Sequence, residues 1–325
     1  MRGTVNISRR TALALGGLAL ATPGLAQDWP ARPIRAVLGF APGGGVDLAA
    51  RVVARGMSQA LRQSVVVENR AGAGSTLAAA QVARAEADGY TIMVAETGML
   101  IGPVLYRDTR YDPITSFAAV GRIAIAPLGI VVAASLGTVD LPAALALGRA
   151  APRPWRFGTP GVGTAQHLVG QMLGSAGGLP LEHVPYRGGA PAVTAVLSGD
   201  VEIGVASLPA VMPAVSAGQL RLLAVTTPGR VPTVPDVPAV AETLPGFDLA
   251  PSIFLVAPAG TPSSIIQALN AALAAALGDV ATRDALASAG LIAAPPSAPA
   301  DLARDLAQET ESWSALARAS GARLE

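Results

Sequence analysis

The 325-residue chain has no cysteine. Disulfide frameworks, thiolate nucleophiles and thiolate-held zinc are thereby excluded. Histidine is nearly as scarce. His167 and His183 are the only imidazoles, and nothing near them has metal-ligand spacing. Only 14% of residues are charged, and no basic stripe stands out, which argues against nucleic acid as a partner. Long apolar runs are missing too, although 51% of the chain is hydrophobic. Glycine and proline interrupt the apolar segments every few residues, which is a globular pattern. At this length there is room for two domains with full cores or one large one.

The exception stands at the start. Arg2, Arg9 and Arg10 precede the uncharged run Ala12 to Leu25, which is shorter than the ~20 residues of a membrane span. Gly24-Leu25-Ala26 then offers small residues for cleavage before Gln27, so residues 1–26 are expected to be an export signal. Ser8-Arg9-Arg10-Thr11-Ala12-Leu13 resembles a twin-arginine motif with Ala12 in place of the usual Phe, and an ordinary secretory signal fits as well. Cleavage removes three arginines and no acid, taking the formal charge from +1 to −2. The expected location is the bacterial periplasm.

The organising stretch is Ile34 to Met57. Ile34-Arg35-Ala36-Val37-Leu38-Gly39-Phe40 reads as a buried strand. Ala41-Pro42-Gly43-Gly44-Gly45-Val46-Asp47 is a turn without side-chain bulk, and a helix follows with Asp47 in its first turn. Free N–H groups at a helix start, reinforced by the helix dipole, attract anions. The glycine spacing matches neither the P-loop nor the dinucleotide fingerprint. It is a generic carboxylate or phosphate cradle.

The unit recurs. Ser64 to Glu68 is a strand, Asn69 to Thr76 a glycine-rich turn, and a helix runs to about Ala87. Tyr90 to Ala95 is the next strand, and Glu96-Thr97-Gly98 opens another helix. Such repetition implies parallel strands with their loops at one sheet edge, where ligands bind. A passage near Ala126 leads into a second half. There Trp155 to Gly158 precedes Thr159-Pro160-Gly161-Val162-Gly163-Thr164-Ala165-Gln166-His167 and a helix. Leu181 to Tyr186 and Val201 to Ala206 are further strands, and Leu220 to Thr226 is the expected return crossing.

Several motifs, taken in order, resemble one family. They are Pro42-Gly43-Gly44…Asp47, Val67 to Gly74, Asp88-Gly89-Tyr90-Thr91, Tyr111-Asp112-Pro113, Gly161-Val162-Gly163-Thr164…His167 and Val184-Pro185-Tyr186-Arg187-Gly188. From about Trp29 to the C-terminal helices the chain is similar to the Bug family, the substrate-binding receptors of tripartite tricarboxylate transporters. The resemblance implies a two-domain α/β periplasmic-binding-protein architecture. It is type II-like, with mostly parallel sheets closing like a flytrap on a cleft. The expected division is 27–126 with 227–325 as one domain and 127–226 as the other. A small organic carboxylate and membrane permease subunits are the implied partners, with no cofactor, no metal and a monomeric state.

Carried over by motif, the ligand loops are Phe40 to Asp47 and Thr159 to His167, flanked by Asn69 to Thr76 and Tyr186 to Gly189. The candidate contacts are Phe40, Gly43, Gly44, Gly45, Val46, Asp47, Ser75, Thr76 and Thr97 in the first half. In the second they are Thr159, Gly161, Val162, Gly163, Thr164, His167, Tyr186, Arg187 and Ser207. Asp47 fits two roles equally, a ligand contact or a brace for the helix start. His167 suits bracing its loop, and Arg187 is a ligand cation or a solvated surface group. This chain departs from the family at Gly39, where Pro is frequent, at Ser75, where Gly is common, and at Glu96-Thr97, where small residues prevail. An acid beside an anion pocket requires an amine-bearing ligand or a side chain that points away, and the second is the expectation for Glu96. A periplasmic sensor remains an alternative to a transport receptor. A hydrolase using Ser75, Ser207 or a threonine lacks both a Gly-x-Ser-x-Gly elbow and an evident base.

Overall fold

The computed structural model describes residues 29–321 apart from 41, 44 and 187. The expected export signal and the expected contacts at Gly44 and Arg187 lie outside the described residues.

Strand β1 (Ile34–Leu38) buries every side chain but Arg35 and feeds helix α1 (Gly45–Leu61). The inward face of α1 carries Ala49, Ala50, Val53, Ala54 and Met57, the helical spacing that lets one stripe meet a sheet. Strand β2 (Val65–Asn69), helix α2 (Thr76–Val82), β3 (Thr91–Glu96) and α3 (Thr97–Leu105) repeat the unit. β4 (Phe117–Ile125) follows, and after Ala126-Pro127 the chain enters β5 (Leu128–Ala133) of a second sheet. That half continues with α4 (Leu141–Arg149), β6 (Trp155–Thr159), α5 (Ala165–Gly177), β7 (Leu181–Pro185) and α6 (Gly189–Ser198). β8 (Ile203–Ser207), α7 (Leu208–Ser216) and β9 (Leu220–Val225) complete it. Residues 226–251 return to β10 (Ser252–Pro258) in the first sheet. Helices α8 (Ser263–Gly278) and α9 (Val280–Ser288), the short β11 (Ile292–Ala293) and α10 (Pro299–Ala319) follow.

The six-stranded sheet has the order β11-β4-β10-β3-β1-β2 and the five-stranded one β7-β6-β8-β5-β9. Parallel pairing, expected for most of both sheets, holds for only part of each. β1 pairs in parallel with β2 and β3, and β6 with β7 and β8. β10 and β5 are antiparallel to both of their neighbours, and β11 is antiparallel to β4. The reason is the crossing itself. A strand arriving from the other half enters at the edge where the parallel strands end, so it must run against them. Both sheets thus turn their carboxyl ends toward the gap between the halves, where ligands bind in open α/β sheets.

The two crossings run side by side. Ala126 N–H donates to Pro251 O at 2.7 Å, and Thr226 N–H to Leu128 O at 3.0 Å. Two helices also bridge the halves. On α3, Met99 and Leu100 pack with Phe254 of the first sheet, while Ile101 and Leu105 join the core of the second. On α10, Leu302 and Leu306 belong to the first core and Trp313 and Ala317 to the second.

Candidate functional site

The loop after β1 is held from beneath. Asp47, one turn into α1, is 2% exposed. Its Oδ2 accepts the Gly43 N–H at 3.0 Å and Arg51 Nε at 2.9 Å. Its Oδ1 accepts Arg51 Nη2 at 3.0 Å and Asn69 Nδ2 at 2.8 Å. Asn69 Nδ2 donates also to Phe40 O at 2.9 Å, so the end of β2 is tied to the same turn. Hydrogen bonds from Arg51 foremost, with those from Gly43 and Asn69, outweigh burial and hold the Asp47 carboxyl at about 2. Gly43 sits at φ 89°, a left-handed angle that a side chain would strain.

The loop after β6 is held by neutral groups. Thr159 is fully buried, its Oγ1 lying 2.6 Å from His183 Nε2 and 3.2 Å from Gly161 O. Thr164 caps α5, accepting the His167 N–H at 3.3 Å and donating to Gly161 O at 2.8 Å. His167 Nδ1 accepts the Gly163 N–H at 3.3 Å. The two imidazoles stack with centroids 3.9 Å apart, with Phe157 centred 4.8 Å from His183. Burial pushes both rings down, His183 to about 4 with help from His167.

Between the halves lies a cavity of ≈ 510 Å³, inside the roughly 300–1,000 Å³ typical of small-molecule sites. Of the residues expected from the sequence, Phe40, Gly45, Val46, Gly161, Val162, Gly163, Thr164 and Ser207 line it. Gly43, Asp47, Ser75, Thr76, Thr97, Thr159, His167 and Tyr186 do not. Asp47, Thr159 and His167 anchor the two loops as described. Thr97 Oγ1 accepts the Ser252 N–H at 2.9 Å and fixes β10 against α3. Thr76 Oγ1 donates to Ala73 O at 2.8 Å. Ser75, at φ 77°, is fully buried with no partner for its Oγ. Tyr186 stands behind β6 against Gly158.

The cavity is ringed by helix starts from both halves. Gly45 and Val46 open α1, Ala165 and Gln166 open α5, Gly189 opens α6, and Ser207 precedes α7. N–H groups in a first helical turn have no carbonyl one turn back to receive them, and the helix dipole adds partial positive charge. Ala165 and Gln166 were reachable from this logic, since they follow the predicted glycine turn. Pro251, Ile253 and the 289–291 turn also line the cavity. They come from the return strand and the tail, and no motif marks them.

Glu96 corrects an expectation. It does not point away but lines the cavity. It closes β3 and caps α3, its Oε1 accepting the Gly98 N–H at 3.0 Å. Burial, opposed only by that bond, pushes its carboxyl up to about 7. Among the described residues the cavity wall holds no arginine or histidine.

A cleft between two α/β halves, lined by helix starts and crossed by two strands, defines a two-domain solute-binding protein. The model of the tripartite tricarboxylate transporter family receptor matches residues 49–321, and the chain belongs to that family. Protein BugT of Bordetella pertussis is 34% identical over 321 residues, covering 96% of this chain and 98% of BugT. The structure of R. palustris Rpa4515 with adipate superposes with a TM-score of 0.82 at 34% identity, over 91% of this chain and all (100%) of that one. MatC from Rhodopseudomonas palustris with bound malate gives a TM-score of 0.77 at 29% identity, over 89% and 100%.

Proposed function

We propose that the protein captures a small carboxylate in the cavity between its halves and delivers it to a tripartite tricarboxylate-type permease. The observation that carries this reading is the ring of helix starts, contributed by both halves to one ≈ 510 Å³ space. Adipate in one relative and malate in another support the ligand class. The domains in this reading are 27–126 with 227–325, and 127–226, with α3 and α10 packing across the boundary. A carboxylate that touches N–H groups of both halves favours the shut form, because only there are both sets used. The family name alone supports the permease, and sensing would use the same binding step. For a hydrolase, neither Ser75 nor Ser207 has a base as a hydrogen-bond partner among the described residues, which nucleophilic catalysis requires.

Calorimetric titration with malate and adipate tests the site. Val162→Trp fills the cavity with an indole and is expected to abolish binding with little change in melting temperature. Undiminished affinity in that variant overturns the assignment. Small-angle scattering tests closure, which predicts a smaller radius of gyration at saturating ligand. An unchanged radius argues for a rigid pocket.

A further inference from the structure

Of the helix starts around the cavity, α3 differs from the rest. The first turns of α5, α6 and α7 reach the wall without a resident anion, and the Asp47 of α1 lies outside the wall, paired with Arg51, whereas α3 brings its own carboxylate into the wall. Glu96 Oε1 is engaged by Gly98, while Oε2 has no hydrogen-bond partner among the described residues and is not fully buried. Nothing cationic in the described wall answers it. The neighbouring turn presents Gly74, β10 presents Ile253 at the paired position, and the residue just after α3 is Tyr106. Tyr106 is the other ionisable side chain of that wall, and burial raises its phenol, so it stays neutral. The remaining wall near the crossings is apolar, with Pro127, Leu128, Pro251 and Leu291.

We propose that Glu96 sets the class of ligand, an amino-carboxylate whose carboxylate goes to the open helix starts and whose ammonium group pairs with Glu96. This rests on the binding reading given above. A buried carboxylate without a counter-charge repels a second anion and is itself disfavoured. An ammonium group supplies three donors and the missing charge, and Oε2 is the atom left to receive it. A dicarboxylate, by contrast, enters only with a proton shared at Glu96. The two classes therefore respond to pH in opposite senses. Affinity for the amino-carboxylate rises with pH as Glu96 ionises, and affinity for the dicarboxylate falls.

The test is calorimetric titration of the mature protein and of Glu96→Gln with matched pairs. These are δ-aminovalerate against adipate, γ-aminobutyrate against glutarate, and leucine against isocaproate. Glutamine keeps an oxygen for the Gly98 N–H, so the cap survives and the variant folds. In at least one pair the amine-bearing member is expected to bind about tenfold or more tightly at pH near 8, an advantage of about 1.4 kcal/mol. Glu96→Gln is expected to erase that advantage. Equal or tighter binding by the member without the amine in every pair, or an advantage that survives in Glu96→Gln, overturns the proposal. If dicarboxylates bind in this way and Val162→Trp abolishes them, the site stands and the role of Glu96 falls. If no probe binds at all, both fall.

Discussion

The two loops that face each other across the cavity do the same task with opposite chemistry. After β1, a turn is pinned by an ion pair, Asp47 with Arg51, and by Asn69. After β6, a turn of similar composition is pinned by two hydroxyls and a stack of uncharged imidazoles. In both, the side chains that look chemically active in the sequence lie under the loop, and the backbone faces the cavity. The lesson is that a shared glycine pattern reports the surface shown to a ligand, while the means of holding that surface is free to differ. The difference has consequences for acid and for salt.

The largest expected effect is on the charged anchor. Asp47→Ala leaves Arg51, Asn69 and the Gly43 N–H without their acceptor, and is expected to cost about 3 kcal/mol by urea unfolding and to weaken ligand binding. A loss under roughly 1 kcal/mol would mean that the anchors are equivalent after all. Acid separates the loops next. The folded-state value of His183 is depressed to about 4, so the stability it contributes is present above its unfolded value and is lost as pH falls from about 6.5 through 4. The loss is at most about 3 kcal/mol. Asp47 is depressed to about 2 from 3.8, so its share stays until the pH drops below 3.8. In a stability-against-pH profile, His183→Phe is expected to flatten the upper part and Asp47→Asn only the lower part. The smallest effect is that of salt. Molar sodium chloride is expected to change stability through the Asp47 pair by roughly 0.5 kcal/mol or less, because its carboxylate is buried, and to leave the imidazole loop untouched. The difference between wild type and Asp47→Asn at low and high salt measures it.

Much of the architecture was legible because it rests on local patterns. The strand, glycine turn and helix units announce themselves through short apolar runs, Gly43, Gly161 and Gly163, and helix caps. Gly39 and Ser75 constrain each other, because a Cβ at Gly39 would run into the side chain of Ser75. Neither was readable alone, because the contact joins residues from separate loops. The antiparallel strands of the two sheets were hidden for a related reason. Parallel order follows from consecutive units, but β10 and β5 arrive from the opposite half. The orientation of Glu96 was hidden for another reason. Electrostatic economy predicts that an acid avoids an anion site, yet Glu96 is held in the wall by its duty as the cap of α3. The lining from Pro251, Ile253 and the 289–291 turn depends on where the return segment and the tail come to rest, which spacing does not encode.

The helices that bridge the cores carry a further consequence, for how the molecule melts. Two lobes joined only by crossing strands would be free to unfold separately, and calorimetry would resolve two heat-absorption peaks. Here α10 places Leu306 in one core and Trp313, 4% exposed, in the other, and α3 is divided in the same way. Opening either lobe strips apolar surface from a helix that the other still needs. The lobes are therefore expected to melt as one cooperative unit, with a single peak whose van't Hoff and calorimetric enthalpies agree. Trp313→Ala removes one end of the α10 coupling, and it should broaden or split that peak, with the five-stranded lobe melting first.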